Sequence, residues 1–130
     1  MTPHRILQLN GSATAVSAIA ILAARGILPP LFGRGSPALL DVIAVAFLAY
    51  AGVLFVAAAR QPVTARTMMV FTAVDAVWVV GSAIVLMLYW PQLAPIGRAL
   101  VVAVALVVEL FALLQYRAAG AIRRDAPELA

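Results

Sequence analysis

The chain reads as an all-α protein, a transmembrane four-helix bundle, on three observations. Hydrophobic residues make up 65% of its 130 residues and charged ones 11%, where a soluble domain has about 45–50% and about 25%. The apolar residues fall into four runs, each near the length of about 20 residues that a bilayer core requires. Arginine and proline stand between the runs or at their ends rather than within them. A soluble bundle needs a polar outer face on each helix, and no run here carries one. The mean hydropathy of +1.08 belongs to the same picture.

The sequence predicts a single membrane domain over residues 1–130, with four spans. The first covers about residues 6–24, between Arg5 and Arg25. Its early half is polar (Gln8, Asn10, Ser12, Thr14, Ser17). A charged start before an apolar run also has the form of a signal peptide, but the run is long enough to span and three more follow. Residues 26–37, GILPPLFGRGSP, form a loop, because their prolines and glycines break a helix. The second span covers about 39–59. Asp41 falls in its expected first turn, where a carboxylate complements the helix dipole and caps free backbone N–H groups. The third covers about 66–90 and ends on Tyr89 and Trp90, an aromatic belt of the kind found at membrane interfaces. The fourth covers about 96–116, and residues 118–130 read as a polar, frayed tail.

Charge sets the expected orientation. All nine basic residues are arginines. Four spans put both termini on one side, which collects Arg5, Arg60, Arg66, Arg117, Arg123 and Arg124, leaving Arg25, Arg34 and Arg98 on the other. Positive residues favour the cytoplasm, so a multi-pass protein of the bacterial inner membrane with both termini cytoplasmic is expected. A net charge of +4 suggests nucleic acid, but arginines that punctuate apolar runs are topology signals, and no basic stripe or zinc spacing accompanies them. Nucleic acid is therefore not an expected partner. There are no cysteines, which removes disulfides, thiolate metal sites and thiol nucleophiles. His4 is the lone histidine. It lies by the terminus and reads as solvated, so no metal site and no cofactor is expected.

Within this apolar chain one residue demands explanation. Asp75 sits inside the run VFTAVDAVWVVGSAIVL. A charge at the bilayer centre costs about 2.5–3.5 kcal/mol on insertion scales, so such a group faces protein or a water-filled cavity. Counted from the expected span ends at 1.5 Å per residue, Asp75 and Glu109 both lie roughly 10–13 Å deep. Tyr50 on the second span and Thr14 on the first fall near that level, with Asn10 and Gln115 shallower. Asn10, Thr14 and Ser17 share one face of their helix, and Thr72, Asp75, Val79 and Ser82 share one face of theirs. Polar and small residues on one face pack between membrane helices. The candidate ligand or proton site is therefore Asp75 and Glu109, with Asn10, Thr14, Tyr50 and Trp78 around them. Trp78 is one turn from Asp75, placed either to pack in the core or to meet a ligand.

Several short motifs carry a resemblance. They are Leu9-Asn10, the Gly/Pro-rich first loop, Asp75-Ala76-Val77-Trp78-Val79 with Ser82, Ile96-Gly97-Arg98, and Leu114-Gln115. With them the chain resembles a family of small bacterial four-span integral membrane proteins, most of unassigned function. The resemblance covers nearly the whole chain. It implies the four-span topology and singles out Asn10, Asp75, Trp78 and Gln115, while Glu109 lies outside its motifs. It implies no activity. Small multidrug exporters have the same span count, but their acid lies in the first helix, where this chain has Asn10 and Thr14; shared size is not shared function.

The functional expectation is an integral membrane protein whose polar pocket binds or moves a small or lipophilic molecule, with or without proton linkage. Its partners would be the bilayer, that ligand and a second copy of itself, since so small a chain encloses little volume. The alternative is a structural or interaction subunit of a larger membrane complex, its buried acids serving helix packing alone. Paired carboxylates can perform acid–base catalysis, but no nucleophile or cofactor motif accompanies Asp75 and Glu109, so no enzyme is expected.

Overall fold

The computed structural model describes residues 1–32 and 37–126, and Arg34 and Glu128 lie outside them. The fold is a bundle of four helices, with no strand among the described residues: α1 (Pro3–Ala23), α2 (Pro37–Ala59), α3 (Ala65–Tyr89) and α4 (Pro95–Asp125). All four are long and apolar enough to cross a membrane, which makes the chain an integral, multi-pass membrane protein.

Local chemistry sets the helix ends. Thr2 caps α1, its hydroxyl accepting the Arg5 N–H at 3.3 Å, with Pro3 in the first helical turn. Proline is preorganised there and lacks only an N–H that would have no partner. Thr64 caps α3 in the same way, accepting the Thr67 N–H at 3.1 Å. A short 3-10 turn over Pro29–Phe32 follows α1, and another over Trp90–Gln92 follows α3.

The structure corrects three expectations. The tail is helical: α4 runs nine residues past Tyr116, to Asp125. Its 31 residues span about 46 Å, against a hydrocarbon core of about 30 Å, so its end stands clear of the apolar layer. Asp41 is not a cap. The second helix begins at Pro37, which puts Asp41 past the first turn, where it pairs with Arg25 at 2.6 Å. His4 is half-buried rather than solvated. Its Nδ1 meets the Ala58 carbonyl oxygen, with the Gln61 Nε2 at 3.2 Å, and so fastens the start of α1 to the end of α2.

The helices pair as two hairpins, α1 along α2 and α3 along α4, which meet chiefly through α1 and α4. The apolar core lies at the end of the bundle that carries both termini: Ile6, Leu7, Leu54, Ala58, Met68, Phe71 and Ala119. Two glycines permit close approach. A Cβ on Gly11 would lie 3.2 Å from the Phe55 ring, where α1 meets α2. A Cβ on Gly97 would overlap the Leu31 carbonyl oxygen, which accepts the Ala94 N–H at 3.0 Å and pins the first loop to the start of α4. At the same end Arg98 donates to the Trp90 carbonyl at 3.0 Å and lays its guanidinium over that indole, 4.3 Å from the ring centre.

Candidate functional site

Each helix adds one side chain to a polar layer just above the apolar core. Ile6, Leu54, Phe71 and Ala119 belong to the core. Four residues along from each, on its own helix, stand Asn10, Tyr50, Asp75 and Gln115. That step is about one helical turn, so the layers stack about 6 Å apart. Small residues flank the polar layer, with Gly11, Ala51 and Ala112 all buried. They bring the helices close enough for short polar side chains to meet.

Asp75 is the hub. It is 3% exposed. One carboxylate oxygen, Oδ2, accepts from Asn10 Nδ2 at 2.9 Å and from Gln115 Nε2 at 3.0 Å. The other, Oδ1, accepts from the Tyr50 hydroxyl at 2.8 Å. Donors thus reach α3 from α1, α2 and α4, and they join one hairpin to the other. All three donors are uncharged, and among the described residues no cation touches Asp75. An ionised carboxylate offers about four lone-pair positions, so the hub is nearly saturated from within the chain. Thr14 supports it at one remove, donating to Asn10 Oδ1 at 3.3 Å. Tyr50 is held in turn by its ring contact with Phe71, 5.9 Å between centres.

Two buried polar atoms beside this layer have no partner among the described residues: Gln115 Oε1 and Trp78 Nε1. The Trp78 ring packs edge-on against Phe47, 4.8 Å between centres, and its backbone carbonyl accepts from the Ser82 hydroxyl at 2.9 Å. Trp78 is therefore held by packing, and it makes no hydrogen bond to Asp75.

Of the residues singled out in the sequence, Asn10, Tyr50 and Asp75 converge, Thr14 joins through Asn10, and Trp78 stands one turn away. The structure does not join Glu109 to Asp75. Glu109 is half-buried and makes no hydrogen bond or ion pair among the described residues. It precedes Gln115 by six residues, which displaces it by about 9 Å along α4 and about 120° around it. Gln115 holds the place expected for Glu109. Depth counted from Tyr116 put Gln115 too close to the membrane surface, because α4 continues to Asp125. The available signal was its spacing: Ala112, Gln115 and Ala119 repeat at helical intervals and are all buried.

No family model, curated protein or solved structure matches the chain.

Proposed function

We propose that this integral membrane protein is a non-enzymatic structural or interaction subunit, and that its buried acid locks two helical hairpins into one bundle. The observation that carries this reading is the near-saturation of Asp75 by one donor from each of the other three helices. A carboxylate so engaged presents little to a substrate. The large apolar side chains on the outer faces, Val16, Val42, Val77 and Leu106 among them, are then free to meet lipid or partner helices. The arginine distribution supports cytoplasmic termini, and the short motifs around Asn10, Asp75 and Gln115 support the resemblance to small four-span membrane proteins.

A second reading is favoured by the unpartnered Gln115 Oε1 and Trp78 Nε1. Together they offer one acceptor and one donor to a small polar molecule or a proton carrier passing beside Asp75. One experiment separates the two readings. Asn10→Ala and Gln115→Ala are compared with the parent chain for stability in mixed micelles, and all three for pH-driven proton flux in liposomes. The packing reading expects each variant to lose about 0.6–1.7 kcal/mol, the range for hydrogen bonds between membrane helices, with no flux in any of them. Proton flux in the parent chain that either substitution abolishes would establish the pocket reading instead.

A further inference from the structure

The end of α4 that projects beyond the apolar layer carries a second polar feature, unrelated to Asp75. A groove of about 360 Å³ runs between α3 and α4, lined by Met69, Tyr116, Arg117, Gly120, Arg123 and Arg124. Three guanidinium groups border it and, among the described residues, no acid does. Among the described residues none of the three forms an ion pair or a side-chain hydrogen bond. The nearby acid, Asp125, lines a separate groove with Met1, Pro3 and Ala118, so the charges are segregated by face. Gly120 adds no side chain to the groove, and a Cβ there would meet nothing nearer than Arg124 Nη1 at 3.9 Å.

Position along the helix matters as much as charge. Gln115 is level with Asp75, which stands ten residues, about 15 Å, past the start of α3. Arg123 and Arg124 therefore come near the level of that start, at the headgroup layer, and Arg117, deeper, reaches outward with its long side chain. Arg117 and Arg124 lie two turns apart on one side of the helix, about 10 Å along its axis. Met69 is apolar and half-buried, a surface for the glycerol and upper acyl chain of a lipid. Arginine binds phosphate through two parallel N–H bonds, and basic pockets between transmembrane helices are recognised seats for anionic headgroups.

We propose that this groove seats the headgroup of an anionic phospholipid, and that a lipid with two phosphates binds better than one with a single phosphate. The two well-separated arginines on one side of α4 each engage one phosphate, and Arg123 adds charge beside them. The site is independent of the role of Asp75.

The test uses the whole chain, purified in neutral detergent and titrated with diphosphatidylglycerol, phosphatidylglycerol, phosphatidylcholine or inorganic phosphate. Retained lipid is counted by native mass spectrometry. The proposal expects diphosphatidylglycerol to be retained over phosphatidylglycerol, and phosphatidylcholine not at all. The variant R117Q/R124Q should weaken retention about tenfold or more. The control R5Q/R60Q removes the same charge from the same end outside the groove and should leave retention within about twofold. R117K/R124K keeps the topology signal and should fall between the parent and R117Q/R124Q, because lysine loses the bidentate geometry. Equal loss in R117Q/R124Q and R5Q/R60Q would reduce the effect to general charge and overturn the proposal. So would equal retention of all lipids, or displacement of the lipid by millimolar inorganic phosphate.

Discussion

Replacing Asp75 tests the central layer most directly, because two substitutions there separate hydrogen bonding from charge. Asp75→Leu removes the acceptor that Asn10, Tyr50 and Gln115 share. Hydrogen bonds between membrane helices average about 0.6 kcal/mol and reach about 1.7, so losing three costs about 2–5 kcal/mol. Asp75→Asn is milder. Its carbonyl oxygen keeps both amide donors, and its NH₂ turns to the Tyr50 hydroxyl, which can accept as well as donate. What goes, for an ionised Asp75, is the charge assistance, roughly half the strength of each bond, or about 1–2.5 kcal/mol in all. The assay is unfolding in mixed micelles, followed by energy transfer between dyes on the two hairpins. The chain has no cysteines, so a labelling cysteine can be placed freely on each. The expected order of stability is parent, then Asp75→Asn, then Asp75→Leu well below. If Asp75→Leu held the hairpins together as well as the parent, the layer would not join them. If Asp75→Asn fell as far as Asp75→Leu, the charge itself would be the essential feature.

Three further outcomes follow from the same geometry. Tyr50→Phe keeps the ring against Phe71 and loses one hydrogen bond, and should cost about 0.6–1.7 kcal/mol in the same unfolding assay. Gly97→Ala forces a methyl group onto the Leu31 carbonyl and should cost about 1–3 kcal/mol as overpacking; Gly11→Ala should cost less, because the Phe55 ring it meets can swing aside, and thermal denaturation of the pair checks the order. Glu109→Gln touches no hydrogen bond among the described residues and should leave stability within about 0.5 kcal/mol of the parent; a larger loss would mean that Glu109 has a packing role after all.

The span count was legible because the bilayer imposes it: a run of about 20 apolar residues between arginines and prolines has few other uses. The ends of the first three helices fall within three residues of expectation, since Pro3, Pro37 and Thr64 are strong start signals. Helix α4 is the exception, because its polar end reads as a frayed tail. Residues Ala118, Ala119 and Ala121 are strong helix formers, and the helix continues through them into water. That error passed directly into the site. With the end of α4 set nine residues short, Glu109 seemed to share the depth of Asp75 and Gln115 did not. Charge draws attention to Glu109, whereas the neutral amide of Gln115, 0% exposed, makes the contact with Asp75. Helix rotation was the least legible property, since each span is apolar around most of its circumference and offers little contrast between its faces.

That lack of contrast suggests why a carboxylate is present. Between helices in lipid there is no hydrophobic driving force, because an acyl chain is as apolar as a leucine side chain. Apolar packing alone leaves many rotations and registers close in energy for helices such as α2 and α3. A single acceptor in α3, with one donor in each of the other three helices, removes that degeneracy. Turning any helix by one residue, about 100°, carries its polar group out of reach and leaves it in hydrocarbon. Shifting a helix by a full turn sets Asn10, Tyr50 or Gln115 against the apolar layer of Leu7, Leu54 and Phe71. The layer thus specifies the arrangement more than it strengthens it, consistent with the modest energies expected for its bonds. A single polar residue that fixes register is the best-attested use of buried polarity in packed helices. On this account Asp75→Asn, though destabilised, still forms one defined bundle, whereas Asp75→Leu populates several. Distances between spin labels on the two hairpins distinguish these outcomes: one narrow distribution for Asp75→Asn and a broad one for Asp75→Leu. A single narrow distribution in both would show that apolar packing already selects the fold.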